Sequence, residues 1–252
     1  MAETTRKNLL ITGGGRGIGA AIARKAARSG WNVMISYASN ANAAAAVVAD
    51  CEAAGAKAYA VKADAAKLDE TESLFAQARE HFGFLDGFVN NAGVTGRMGR
   101  LENADPDHIR EVIDINVTGV LLAARAAIPL MSTKHGGRGG AIVNMSSAGA
   151  TLGMGNVFVW YAASKGAVDS MTIGLAQELA DDGIRVNALA PGLIATDIHA
   201  SGGDPERANK LAQMVPLKRV GAPEEMADVT LYLLSDAASY VTGHILRAAG
   251  GR

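Results

Sequence analysis

Cysteine is almost missing. Cys51 is the only one in 252 residues, which excludes an intramolecular disulfide and any zinc site built on thiolates, and a chain so poor in thiols is expected in the reducing cytoplasm. Charge of one sign is lacking too: 24 Lys and Arg face 25 Asp and Glu, a formal charge of −1, so no broad field exists to attract nucleic acid or an anionic membrane, and neither is expected as a partner. The five histidines, His81, His108, His135, His199 and His244, show no i, i+4 pairing and no acidic cluster beside them, so no metal is expected. Long apolar runs are short of membrane length, the stretch 117–131 being broken by Arg125 and Pro129, and residues 1–7 are polar with no apolar signal segment behind them. Thirty glycines and six prolines are too few to mark disorder, and 49% hydrophobic residues can fill a sizeable core.

What is present is a recurring pattern. Short, near-continuously apolar runs at 8–12, 32–37, 57–63, 87–91, 141–146, 185–190 and 244–248 alternate with helical patterns at 17–29, 41–54, 68–82, 106–131, 160–180, 205–214 and 223–234. Strands of that kind are covered on both faces, which is what crossover helices produce, so the fold class is α/β with a parallel sheet. A Gly-rich turn after the first strand favours a Rossmann-type doubly wound sheet of about seven strands over an eight-stranded barrel. We expect a single dinucleotide-binding domain over 1–252, with a small substrate lid at about 193–215.

The first strand runs into Thr12, Gly13, Gly14, Gly15, Arg16, Gly17, Ile18 and Gly19, and then a helix. Phosphate binding needs this order: glycines let the backbone turn and approach a pyrophosphate, and the helix N-terminus supplies positive potential. The spacing also contains Gly15, Gly17 and Ala20, so the register stays open. An NAD site usually places a carboxylate at the end of the second strand; here stand Tyr37, Ala38, Ser39 and Asn40, with Arg16 in the loop beside them. The expectation is therefore NADP(H) over NAD(H), since a 2′-phosphate wants a cation and no carboxylate.

Tyr161 and Lys165 are four apart on a helical pattern and share one face. A nearby ammonium favours the phenolate, so Lys165 is expected to lower the phenol pKa.

Together these segments resemble the short-chain dehydrogenase/reductase family over essentially the whole chain. Thr12, Gly13, Gly17 and Gly19 match its T-G-x-x-x-G-x-G loop, Asn90 to Gly93 its N-N-A-G segment, and Tyr161 with Lys165 its Y-x-x-x-K; Asn116 and Ser147 match two further catalytic positions. The resemblance implies hydride transfer between a nicotinamide and a small-molecule carbonyl or alcohol. Tyr161 would be the general acid or base, Ser147 would hold the substrate oxygen, Lys165 would bind the nicotinamide ribose, and Asn116 would place a relay water. Asn91, Ala92 and Gly93 would border the cofactor, Asp64 would meet the adenine, and Pro191, Gly192, Ile194 and Thr196 the carboxamide side. Sugar dehydrogenases and 3-oxoacyl-thioester reductases are similar alike.

Alternatives stand beside these roles. Ser146 could face the site in place of Ser147, because strand neighbours point to opposite faces. Asn116 could satisfy backbone groups in a distorted helix, Asp64 could cap a loop, and Asn90 and Asn91 read as structural. Phe158, Val159 and Trp160 are expected to shape the substrate pocket, while His199 reads as an exposed loop residue. An NAD-dependent sugar dehydrogenase and a dinucleotide-binding redox sensor without turnover are the competing functions. The helix at 160–180 is apolar around much of its circumference, which points to burial between subunits in a homotetramer.

Overall fold

The computed structural model describes residues 6–198 and 202–252, so His199 and the middle of the expected lid lie outside the described residues. Seven strands form one parallel sheet: β1 (Lys7–Ile11), β2 (Trp31–Tyr37), β3 (Ala58–Lys62), β4 (Gly87–Asn90), β5 (Gly140–Met145), β6 (Ile184–Pro191) and β7 (Ile245–Ala248). Each falls on an expected run. Their order is β3-β2-β1-β4-β5-β6-β7, an open sheet and not a barrel.

Period-two burial explains the apolar runs. Leu9, Ile11, Val33, Ile35, Val89 and Val143 pack on one face, under α1 (Gly17–Arg28), α2 (Ala41–Ala53) and α9 (Pro223–Leu234). Their neighbours Leu10, Met34, Phe88 and Ile142 pack on the other, under α3 (Leu68–Phe82), α5 (Gly119–Met131) and α7 (Val159–Glu178). The central strands thus have helices to bury against on both faces, and each full burial of such a side chain is worth roughly 1.5–3 kcal/mol. The helix starts follow local chemistry: the Asn40 side chain accepts from the Ala43 N–H at 2.9 Å to cap α2, and Pro223 opens α9 while Glu225 accepts from the Ala222 N–H at 2.8 Å.

The expected helix at 106–131 is present but not uniform. It comprises α4 (Pro106–Ile113), a π-turn at Asp114–Thr118, and α5. By length and composition Pro106–Met131 is apolar enough to cross a membrane, a stronger signal than its Arg and Pro suggest. In the fold Ala123, Ala127, Leu130 and Met131 are instead buried against the sheet, as in a core helix. Two further short helices stand among the described residues, α6 (Gly149–Leu152) before α7 and α8 (Arg207–Leu211) in the lid region.

The chain builds β1, β2 and β3 outward in one direction, then crosses back to lay β4 on the other side of β1. At such a switch point the loops leave the carboxyl ends of β1 and β4 in opposite directions and a crevice opens between them.

Candidate active site

That crevice is a cavity of about 580 Å³. It is lined by Gly13, Arg16, Gly17, Ile18, Tyr37, Ser39, Asn40, Asp64, Asn91, Ala92, Gly93, Ser147, Tyr161, Lys165, Pro191, Gly192, Ile194 and Thr196, so the fold brings together all but three of the residues singled out in the sequence. Thr12, Gly19 and Asn116 stand behind its walls.

The glycine loop is fastened from beneath. Thr12 Oγ1 accepts from the N–H groups of Asn91 (3.0 Å) and Ala92 (3.1 Å), and Asn91 Nδ2 donates back to the carbonyls of Thr12 (2.9 Å) and Gly13 (3.0 Å). Gly13 N–H donates to Ser36 Oγ at 3.1 Å, tying the loop to β2 as well. These bonds make Asn91 a structural strut, as Asn90 is through its bond to the Val120 carbonyl at 2.8 Å. The open register is resolved in favour of Gly13, Gly17 and Gly19: Gly13 and Gly17 have φ of +64° and +54°, and a Cβ on Gly19 would lie 2.6 Å from the Gly13 carbonyl oxygen. At Gly15 a Cβ would meet nothing closer than 3.6 Å.

At the β2 end of the cleft Tyr37, Ala38, Ser39 and Asn40 line the wall with Arg16 opposite, and no carboxylate stands among them. Arg16 forms no ion pair among the described residues. The Asn40 side-chain oxygen is engaged as the α2 cap. Asp64 lines the next stretch, and its Oδ1 accepts from the Ala66 N–H at 3.0 Å, so it is also a loop cap.

The opposite wall carries the titratable groups. Four-residue spacing on α7 sets Tyr161 one turn before Lys165, and Lys165 Nζ lies 5.8 Å from the phenol ring centre. Lys165 is buried and donates to the Met145 carbonyl at 2.7 Å, at the end of β5. Ser147 follows that strand and hydrogen-bonds the Tyr161 phenol. Ser146 also borders the cavity but bonds elsewhere, donating to the Lys165 carbonyl at 3.4 Å and meeting Asp169, so of the two serines it is Ser147 that meets the phenol.

Burial pushes the Tyr161 phenol above its ordinary value, with the Ser147 hydrogen bond pulling it down. Burial also holds the Lys165 ammonium down at about 8, against the opposing pull of Asp169. The expected lowering of the phenol by Lys165 does not stand among its shifts: burial is the larger cause at both groups, opposed by Ser147 at the phenol and by Asp169 at the ammonium.

Asn116 sits in the π-turn, completely buried, where one extra residue in the turn aims its side chain at the loop after β4. Its Nδ2 donates to the Val94 carbonyl (2.8 Å) and to Ser164 Oγ (3.0 Å), and its Oδ1 accepts from Val94 N–H (2.9 Å). It satisfies backbone as the structural alternative required, yet Oδ1 keeps one lone pair. A Cβ on Gly93 would lie 3.1 Å from that oxygen and 3.3 Å from Lys165 Nζ, so both groups converge over Gly93.

On the far side Gly192 packs against Ala249, whose Cα would be 2.7 Å from an added Cβ, and Ile194 bridges to Gly221. Of Phe158, Val159 and Trp160, Phe158 lines the cavity and the other two do not; Trp160 turns inward, its Nε1 donating to the Thr95 carbonyl at 2.8 Å. Sequence reasoning did not single out Leu152, Met154, Leu193, Arg207 and Arg252, which also line the cleft and come from loops and short helices. Cys51 is buried away from the cleft, its thiol raised to about 11 by burial, and no metal-binding group of His, Cys, Asp and Glu exists among the described residues.

A family model described as "Enoyl-(Acyl carrier protein) reductase" matches residues 13–252. The chain is 44% identical to the uncharacterized oxidoreductase YgfF of Escherichia coli, over 96% of this chain and 98% of that one. It is 39% identical to glucose 1-dehydrogenase 2 of Bacillus subtilis (99% and 95%) and to a 3-oxoacyl-[acyl-carrier-protein] reductase of Synechocystis (100% and 98%). Among solved structures it superimposes on a short-chain dehydrogenase/reductase from Serratia marcescens with a TM-score of 0.90, and on a short-chain dehydrogenase from Burkholderia cenocepacia in complex with NADP with a TM-score of 0.89. Each is 35% identical and covers 98% of both chains.

Proposed function

The chain belongs to the short-chain dehydrogenase/reductase family of oxidoreductases, and from that premise we propose that it interconverts a carbonyl and a secondary alcohol with NADP(H) as the preferred cofactor. The observation that carries this reading is the meeting of Ser147, Tyr161 and Lys165 on one wall of a cleft whose other end is the glycine loop.

The residues present fit a nicotinamide dinucleotide. The close approach at Gly13 and Gly19 forms a backbone cradle at the start of α1, and Arg16, Ser39 and Asn40 offer a cation and donors to a 2′-phosphate with no carboxylate to repel it. NADP in the Burkholderia neighbour agrees with that preference. Asp64 would meet the adenine end, Lys165 would hold the nicotinamide ribose, and Pro191, Gly192, Ile194 and Thr196 would border the carboxamide. When bound, the cofactor supplies or accepts the hydride equivalent at its C4.

The chain's own groups manage the proton. In reduction Tyr161 gives its phenolic proton to the substrate oxygen, and in oxidation the phenolate takes it back. Its raised pKa keeps it protonated at neutral pH, the form a general acid needs. Ser147 donates a second hydrogen bond to the same oxygen and fixes it beside the phenol. Lys165 holds positive charge near the developing phenolate, and Asn116 Oδ1, converging with Lys165 on Gly93, would hold a relay water. The segment at 193–215 acts as the substrate lid.

NADPH oxidation with a panel of ketones, sugars and acyl thioesters tests the activity. Binding of NADPH without turnover of any carbonyl would leave only the sensor reading.

The same proposal includes a cytoplasmic homotetramer. Ile173 on α7 (44% exposed) and Leu121 on α5 (47% exposed) present apolar surface that a monomer would leave in water. Light scattering at micromolar concentration should return four copies; a monomer removes this part of the reading.

A further inference from the structure

The substrate end of the cleft carries two arginines that the proposed chemistry does not use. Arg207, at the start of α8, stacks its guanidinium 5.6 Å from the Phe158 ring, and that ring lies 6.4 Å from the Tyr161 ring. Arg207 is thereby placed beside the catalytic phenol and far from the Arg16 end. Among the described residues its side chain makes one hydrogen bond, a weak one to Met98 Sδ at 3.9 Å. Of the acids nearest along the chain, Glu206 accepts from Asn209 Nδ2 at 3.0 Å and Asp204 is engaged by Lys210 at 2.9 and 3.0 Å.

Arg252 reaches the same cavity by a separate route. Gly250 and Gly251, with φ of +63° and +94°, turn the chain back over the base of the lid, where Leu217 N–H donates to the Gly250 carbonyl at 3.1 Å. Burial pushes the Arg207 guanidinium below its ordinary value, and the charge of Arg252 pushes it further the same way, with Asp204 pulling against them. Of the charged side chains lining the cavity among the described residues, Arg16, Lys165, Arg207 and Arg252 are cationic against Asp64 and Asp197. Arg207 is partly desolvated, neither guanidinium forms an ion pair among the described residues, and two cations in one cavity are relieved by an anion between them.

We infer that Arg207 and Arg252 form an anion subsite, and that the substrate is a carbonyl or alcohol compound carrying a carboxylate or phosphate. The inference rests on the oxidoreductase reading and deepens it. Phe158 supplies the flat face that holds Arg207 in place, and the lid is attached nearby through Met98 N–H donating to the Gly202 carbonyl at 3.0 Å. An anion would join lid and carboxyl-terminal segment in the closed site.

The test compares charged and neutral substrates of matched shape, with saturating NADPH: acetoacetate against methyl acetoacetate, and dihydroxyacetone phosphate against dihydroxyacetone. In the wild-type enzyme kcat/KM should favour the charged member of at least one pair, and the pair that responds identifies carboxylate or phosphate. In Arg207→Gln/Arg252→Gln that preference should fall roughly 10- to 100-fold through KM for the anion, with the neutral partner and the KM for NADPH little changed. Equal use of charged and neutral partners, an unchanged preference in the double variant, or a loss that falls on NADPH overturns the inference. If no carbonyl is reduced at all, the oxidoreductase reading fails separately, and a binding measurement decides this one. With NADP⁺ saturating, malonate or inorganic phosphate should raise the wild-type Tm and leave the double variant unmoved; equal or absent shifts overturn the subsite.

Discussion

The two halves of the cleft are built from different materials. The dinucleotide half is backbone: glycines, strand ends and struts such as Thr12 and Asn91, each tied to a neighbouring strand. The substrate half is side chain: Met154, Phe158, Arg207 and Arg252, carried on loops and short helices. A ligand shared by many enzymes can be met by backbone geometry, which few residue types permit. A ligand particular to one enzyme is met by side chains, which many residue types can supply.

The largest effect should come where the halves meet. Tyr161→Phe removes the proton donor but not the ring, so turnover should fall by about 10²- to 10⁴-fold while NADPH affinity, read by fluorescence titration, changes little. A variant retaining most of its rate would separate the phenol from the chemistry and dissolve the division drawn above.

Lys165 tests the cost of placing function in the core. Its ammonium is held at about 8 in the folded protein against 10.5 ordinarily, so below pH 8 folding confines a charge that the unfolded chain solvates freely. Above 10.5 both states are neutral and the cost vanishes, so this group makes stability rise between pH 8 and 10.5. Lys165→Met should abolish activity yet raise unfolding free energy at pH 7 by up to about 3 kcal/mol, and by little at pH 11. Urea titrations at the two pH values check the sign; destabilisation at pH 7 would show that the bond to the Met145 carbonyl outweighs the desolvation.

Arg16 is the one side chain on which the backbone-built half should depend for selectivity. Arg16→Ala should weaken NADPH by roughly 1.5–3 kcal/mol and leave NADH nearly unchanged, and Tyr37→Asp should lower kcat/KM for NADPH while helping NADH. Equal losses on both cofactors would make Arg16 a loop residue only.

The same contrast explains what could be read from the chain. All seven strands and the glycine loop were legible because burial on both faces and positive φ restrict residue choice locally. The π-turn at Asp114–Thr118 was not, since the extra residue is stabilised by the Asn116 bonds to Val94 and Ser164, which are remote in sequence. Arg207 meets Met98 across 109 residues, and no spacing rule links them. Direction of a pKa was equally hidden: Tyr161 and Lys165 share a helix face, but the burial that raises one and lowers the other is tertiary.

The smallest effect is the cleanest comparison, because it makes one substitution in each half. A Cβ on Gly19 would lie 2.6 Å from the Gly13 carbonyl oxygen and 2.7 Å from Asn91 Nδ2, so Gly19→Ala must displace the loop or the strut that holds it. Overpacking of this kind costs about 1–3 kcal/mol, offset in part by the roughly 1 kcal/mol that alanine gains over glycine in a helix. Gly155, on the exposed turn before Phe158, has no atom within 4 Å of an added Cβ and no positive φ, so Gly155→Ala should stay within about 0.5 kcal/mol. Thermal unfolding with and without NADPH reads both terms: Gly19→Ala should lower Tm and shrink the stabilisation by cofactor, and Gly155→Ala should leave both alone. If Gly19→Ala bound NADPH normally, the close approach would serve packing of α1 against the sheet and not the phosphate cradle. If Gly155→Ala disturbed cofactor binding, the two halves would be mechanically coupled, and the substrate loop could not have been free to vary its side chains independently.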